Sequence, residues 1–261
     1  MLKAVKWGMV GLLLLATGTH AGAAAPLKVG VSAGPYAEIL SYAAEIAKKD
    51  GIEVKVVEFS DYTMPNAALA QGDIDFNNFQ HLPYLQNQVK QRGYDIIALE
   101  KSIIVPLGLY SKKFTALSEI PVGATVAIPN DPSNEARSLM LLEKSGLLKL
   151  KPDAGTSATI ADIVENPKKL IIKQLDAAQL PRSLEDVDLA AATLNYALSS
   201  GLDPKKALLL EGADTPWNLW FAASPSRKDD PQIRRYIEIY RSPAVKDFIL
   251  SRFQGTIIPT W

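Results

Sequence analysis

The 261-residue chain reads as an α/β protein folded into two lobes, with mainly parallel sheets joined by two crossing segments. Three observations predict this. From residue 27 onward, short β-branched runs alternate with segments of helical period, the pattern of β-α-β units with right-handed crossovers. The two halves repeat one plan of strand, turn, helix, strand and polar loop. Two long apolar runs, residues 102–110 and 217–224, stand where a chain would pass from one lobe to the other and back. The expected division is 24–105 for the first part of lobe one, 106–220 for lobe two, and 221–261 for the return to lobe one.

Residues 1–23 are set apart. Lys3 and Lys6 make a short basic region, residues 7–16 an apolar one, and Ala21-Gly22-Ala23 a small-residue cleavage site. That is the layout of a secretory signal peptide, and its apolar core is short for a membrane span. Without it, 26 basic residues face 28 acidic ones, a mature charge of about −2. A charge so close to balance gives no reason to expect nucleic acid as a partner. There is no cysteine, which excludes disulfides, thiolate catalysis and cysteine-based metal sites.

Residues 27–31 predict the first strand, 36–49 a helix stopped at Asp50-Gly51, and 52–59 the next strand. Pro65 opens a short helix to Gln71. Residues 73–77 predict a brief strand, 84–91 a helix and 94–99 a strand. The run 102–110 is broken by Pro106, which suits a crossing better than a central strand. Residues 123–129 predict a strand, 135–145 a helix capped by Ser133 or Asn134, and 170–175 and 187–192 further strands. The run 217–224 is the expected return crossing. Helices are expected at 232–240 and 244–251.

Polar and aromatic clusters fall at the carboxyl ends of these strands, where open α/β sheets bind ligands. Phe76-Asn77-Asn78-Phe79-Gln80-His81-Leu82-Pro83-Tyr84-Leu85 mixes rings with hydrogen-bonding groups, the composition of a small-molecule pocket. Tyr62, Phe79 and Tyr84 are either pocket rings or core rings. His81 is a hydrogen-bonding ligand contact or a packed structural histidine; it lacks the neighbours for a metal site or a triad. Arg137 lies one turn into a helix behind Asn130-Asp131-Pro132-Ser133-Asn134. A cleft arginine there would grip a carboxylate through its planar fork; a surface arginine paired with Glu135 or a neighbour is the plain alternative. Asn195 and Tyr196 follow a small-residue strand and are weighed in the same way. No dinucleotide fingerprint and no phosphate-binding loop is present, and no cofactor is expected.

Several blocks together resemble a known family: Asp61-Tyr62-Thr63-Met64-Pro65-Asn66-Ala67-Ala68-Leu69, Gly72-Asp73-Ile74-Asp75, Asn78-Phe79-Gln80-His81-Leu82-Pro83-Tyr84-Leu85, Pro129-Asn130-Asp131-Pro132-Ser133-Asn134 with Arg137, and Gln179-Leu180-Pro181-Arg182-Ser183. They are similar to the methionine-uptake substrate-binding proteins, the NlpA-type lipoprotein family of ABC importers. The resemblance implies a type II-like periplasmic-binding-protein fold, a monomer that carries a methionine-type amino acid in its cleft to an inner-membrane permease. It implies a pocket of Tyr62, Phe79, His81, Tyr84, Asn134, Arg137, Asn195 and Tyr196, with Arg137 on the carboxylate, Asn195 among the groups on the amino end, and Tyr62 and Phe79 on the side chain. The family's lipid-bearing cysteine is missing, so a periplasmic protein that is soluble after signal cleavage is expected. Two tryptophans in residues 215–220 and a shortened spacing near Asn195-Tyr196 keep another apolar amino acid or a small peptide open as ligand. An enzyme on the same fold, with His81 as acid/base, is the alternative from another class.

Overall fold

The computed structural model describes residues 25–261; the expected signal peptide, 1–23, lies outside the described residues. β1 (Leu27–Ser32) buries Leu27, Val29 and Val31. Pro35 begins α1 (Pro35–Lys49), where a missing N–H costs no hydrogen bond, and Ile39, Leu40, Ala43 and Ala47 form its buried stripe. β2 (Val54–Phe59), α2 (Met64–Gln71), β3 (Phe76–His81), α3 (Leu82–Arg92) and β4 (Ile97–Ile104) complete the first series. Val105 and Pro106 then carry the chain across.

The second series contains β5 (Leu107–Tyr110), β6 (Thr125–Pro129), α4 (Pro132–Lys144), β7 (Lys149–Leu150), β8 (Ile163–Glu165) and β9 (Ile171–Leu175). It continues with α5 (Leu180–Ser183), β10 (Leu189–Thr193), α6 (Leu194–Ser199) and β11 (Leu209–Leu210). After residues 211–217, β12 (Asn218–Ala223), α7 (Pro231–Tyr240), α8 (Pro243–Phe253) and β13 (Ile258–Pro259) return to the first lobe.

Two sheets result, one per lobe. Their orders are β13-β4-β12-β3-β1-β2 and β11-β5-β10-β6-β9. Each has a strand borrowed across a crossing beside its third βα-unit strand: β12 beside β3, and β5 beside β10. The expectation of mainly parallel sheets needs correction here. β1 runs parallel to β2 and β3, and β6 parallel to β9 and β10. β12 is antiparallel to β3 and β4, and β5 antiparallel to β10 and β11. The reason is directional. The βα-unit strands run toward the cleft, whereas a strand entering from the other lobe starts at the cleft and runs away from it.

Three local expectations also shift. Phe76–His81 is a central strand with every residue buried, not a loop beyond a strand. Its amides satisfy one another, which lets them enter a core: Asn66, Asn77 and Gln80 form a closed set of bonds of 2.7–3.1 Å, and Asn78 donates to Ser102 at 2.8 Å. β12 lies wholly in the first sheet, so the return crossing is 211–217 and a boundary at 220/221 would cut a strand. The cap of α4 is Asp131, which accepts from Asn134 N at 3.0 Å, so the helix starts before Ser133.

The first core packs α1, α7 and α8 on the sheet, with edge-on ring pairs Phe76–Tyr236 at 5.6 Å and Phe221–Tyr240 at 5.0 Å. In the second lobe, Leu107, Val126, Ile128 and Leu139 fill one side of the sheet, and the alanines of β10 admit α5 and α6 closely on the other. Among the described residues no helix is long and apolar enough to cross a membrane.

The lobes touch at Gly34, just before α1. Its φ is 108°, and a Cβ there would sit 2.8 Å from Ser199 Oγ of α6. Gly93 also has positive φ, 69°, but faces open space. Gly34→Ala should therefore cost about 1–3 kcal/mol in urea unfolding, and Gly93→Ala about 1 kcal/mol, because only the first adds a clash to the backbone strain. Equal losses would show that the interlobe contact at Gly34 is loose.

Candidate functional site

The cleft is built from strand ends. Tyr36 is the second residue of α1, after β1. Tyr62 sits in the loop after β2, which Asp61 braces by accepting from Thr63 N at 2.8 Å and Met64 N at 3.1 Å. Phe79 and His81 close β3, and Tyr84 is in the first turn of α3. From the other lobe come Asn134 and Arg137 of α4, Thr193 of β10, and Asn195 and Tyr196 of α6. Tyr36, Tyr62, Phe79, Gln80, His81, Tyr84, Val105, Asn134, Arg137, Thr193 and Leu219 line one cavity. It is small, about 20 Å³, roughly the room of one water. A wider depression of about 510 Å³ lies between α1, α6 and the end of α8. None of the eight expected residues lines it, and the chemistry is concentrated in the smaller cavity.

Six of the eight expected residues face that cavity: Tyr62, Phe79, His81, Tyr84, Asn134 and Arg137. Asn195 and Tyr196 stand behind it. Asn195 Oδ1 accepts from Tyr36 Oη at 3.1 Å and Tyr62 Oη at 2.8 Å. The Tyr196 ring lies 4.9 Å from that of Tyr62, and its hydroxyl donates to Ser60 O at 3.3 Å. Burial raises the hydroxyl pKa of Tyr36 and Tyr62 above the ordinary tyrosine range, so both remain donors. With Oδ1 occupied, Asn195 keeps a buried, unpartnered Nδ2. That group donates and suits an anion, whereas the expected role at an amino end needs an acceptor.

His81 is fixed at both nitrogens. Nδ1 accepts from Tyr84 N at 3.2 Å, capping α3, so the proton lies on Nε2 and points at Asn134 Oδ1, 3.1 Å away. Asn134 Nδ2 in turn donates to the Asp131 carboxylate at 3.0 and 3.1 Å. Burial, and then the nearby Arg137 charge, push His81 down to about 3. It is a neutral, oriented donor with no nitrogen free for proton transfer.

Arg137 is 2% exposed, not a surface residue, and its partner is Glu211 rather than Glu135. Nε lies 3.0 Å from both Glu211 oxygens, and Nη2 bonds Oε2 as well. Nη2 also donates to Val105 O at 2.8 Å, and Leu107 N donates to Glu211 Oε2 at 2.9 Å. The Trp217 ring lies 5.5 Å from the guanidinium and 4.9 Å from the His81 ring. Nη1 takes part in none of these bonds. The pair thus ties α4 to both crossings.

Sequence reasoning did not name Tyr36, Thr193, Glu211 or Asn218 as site residues, and it noted Trp217 only as one of two tryptophans bearing on the choice of ligand. Tyr36 and Thr193 carried a usable signal, since both stand beside strand carboxyl ends. Glu211 ends a short apolar run and reads as a surface acid; only the return of the chain beside Arg137 reveals it. Asn218 starts β12 next to Leu219 and has a buried Oδ1 with no partner. Among the described residues, no cluster of histidine and acidic side chains could hold a metal.

Two α/β lobes joined by two crossings, closed over a cavity of rings and one guanidinium, define the fold of the periplasmic substrate-binding proteins. Within that class the chain belongs to the NlpA lipoprotein family, whose sequence model matches residues 27–261. A probable D-methionine-binding lipoprotein MetQ of Pasteurella multocida is 43% identical over 241 residues, 92% of this chain and 87% of the relative. The D-methionine-binding lipoprotein MetQ of Escherichia coli K12 is 42% identical over 239 residues, 90% of this chain and 88% of the relative. Among solved structures, a Burkholderia cenocepacia nutrient-binding protein bound to methionine has a TM-score of 0.87 at 50% identity, covering 90% of this chain and all of that one. A periplasmic substrate-binding protein of an ABC transporter from Coxiella burnetii has a TM-score of 0.86 at 47% identity, with the same coverage.

The state of His81 has a measurable consequence. Its folded pKa of about 3 lies below the ~6.5 of a free imidazole, so between these values only the unfolded chain takes up the proton. This contribution to stability is complete above about pH 6.5 and falls as the pH drops, by about 1.4 kcal/mol per unit. Urea unfolding should show little change at pH 7 and approach that slope as the pH falls below 6 toward 5, and His81→Gln should flatten it. An imidazole that titrates near 6.5 by NMR in the folded protein would overturn the assignment.

Proposed function

We propose that this protein is the receptor of an ABC importer, capturing methionine between its lobes outside the cytoplasm and handing it to a membrane permease. The observation that carries this is the division of the cleft into an aromatic wall, Tyr36, Tyr62, Phe79 and Tyr84, and one buried guanidinium opposite. A thioether packs well against ring edges, and a guanidinium suits a carboxylate. The methionine named for the 50% identical neighbour, and the MetQ relatives, support the same ligand.

In this reading Arg137 offers Nη1 to the carboxylate, with Asn195 Nδ2 as a second donor. Asn218 Oδ1 is the free acceptor for the ammonium group. Tyr62, Phe79 and Tyr84 hold the side chain, and Tyr196 backs Tyr62. His81 and Asn134 form an oriented polar rim. A cavity of about 20 Å³ means that the lobes must part to admit an amino acid and then reclose. Residues 105–106 and 211–217 would serve as the hinge strands of that motion. Such tight walls favour one amino acid over a peptide. A receptor fits better than an enzyme, because both nitrogens of His81 are already engaged.

The reading includes export through the basic and apolar N-terminal segment and action as a monomer, with no nucleic-acid partner. The relatives are named lipoproteins, and these 261 residues include no cysteine to carry a lipid.

Mass spectrometry of ligand released by denaturing the purified protein should find methionine, and calorimetry with added methionine should give tight binding. Arg137→Ala should weaken binding by about 2–5 kcal/mol, 30-fold or more. It should also lower stability by about 3–5 kcal/mol, since it strands the buried Glu211. Arg137→Lys should keep more of the stability while still losing affinity. Unchanged affinity in both variants would remove Arg137 from the ligand site.

A further inference from the structure

The Arg137 charge is already neutralised before any ligand arrives. Glu211 has a side chain only 9% exposed and engages Nε and Nη2 of Arg137 while accepting from Leu107 N. It is held by the Arg137 guanidinium and by the backbone N–H of Leu107 at the start of β5. Arg137 is the one cationic side chain among the described residues lining the cavity, because His81 is held neutral there. A third charge, the Asp131 carboxylate, sits behind Asn134.

We propose that Glu211 is a specificity-determining residue, which makes the cleft accept a zwitterion and reject a plain carboxylate. This rests on the amino-acid reading above. A ligand carboxylate on Nη1 becomes the second anion around one guanidinium. In a buried setting that excess negative charge is costly. The ligand's own ammonium group restores the balance, so the carboxylate and the amine are recognised together. With Glu211 cancelling the Arg137 charge, the cleft has no uncompensated cation, and Asp131 stands behind Asn134 as a hydrogen-bonded acid whose pKa burial raises. The cleft therefore tolerates the loss of the ligand's carboxylate better than the loss of its amine. An arginine site without a resident acid would behave in the opposite way, since its uncompensated cation would favour the bare anion.

The test uses the full mature protein and three probes in calorimetry: methionine, 4-(methylthio)butanoate, which lacks the amine, and methioninol, which lacks the carboxylate. Wild type should bind methionine best and methioninol more tightly than 4-(methylthio)butanoate. Glu211→Gln is nearly isosteric and keeps an acceptor for Arg137 and Leu107. It should bind 4-(methylthio)butanoate about tenfold or more tighter than wild type does, without a matching gain for methionine. If the variant does not fold, the order of the two analogues on wild type decides: the butanoate binding as tightly as methioninol, or more so, overturns the assignment. No gain for the butanoate in a folded variant overturns it too. Wild type that fails to bind methionine overturns the receptor reading, and this assignment falls with it; wild type that binds methionine confines any failure to Glu211.

Discussion

The buried ion pair of Arg137 and Glu211 is the constraint on which the site depends. Removing two charges from water is costly, and the cost is recovered only when the geometry satisfies every polar atom. Here the partners come from α4, from the backbone of Val105 in the first crossing and of Leu107 at the start of β5, and from the second crossing at Glu211. Trp217 covers the guanidinium with its ring. The crossings therefore cannot shift independently of the arginine, and the arginine cannot shift without exposing or stranding a charge. A ligand that alters the charge balance at Arg137 acts on both crossings at once.

Around this pair the lobes meet through neutral, oriented hydrogen bonds. Tyr36 and Tyr62 from the first lobe converge on Asn195 of the second. His81 of the first reaches Asn134 of the second, which is itself held by Asp131. None of these groups changes charge near neutral pH, because burial keeps the tyrosines protonated and the histidine neutral. Their worth is directional. The bonds from Tyr36 and Tyr62 occupy Asn195 Oδ1 and leave its buried Nδ2 without a partner.

Much of this was legible in the chain. Composition singled out the stretch holding Phe79, His81 and Tyr84, and the family resemblance put these residues with Arg137 in one pocket; the structure brings all four to one cavity. What could not be read was the partner of each group. His81 and Arg137 each had two readings that differ only in their neighbours, and the neighbours Asn134 and Glu211 lie 53 and 74 residues away in sequence. The amides of β3 are a case of the same kind: the stretch reads as pocket wall, but Asn77 and Gln80 are satisfied within the core by Asn66.

By itself, then, the sequence determined the alternation of strands and helices, the place where Pro106 breaks the first crossing, and the residue types that gather at strand ends. Those are consequences of local period, ring closure and hydrogen-bonding capacity. Only the tertiary structure decided the direction of the borrowed strands β5 and β12, the tautomer of His81, and the pairing of Arg137 with Glu211. Each of these depends on which distant segment arrives alongside. Strand direction follows from where a crossing enters the cleft, and the charge state of a buried group follows from its neighbours, not from its place in the chain.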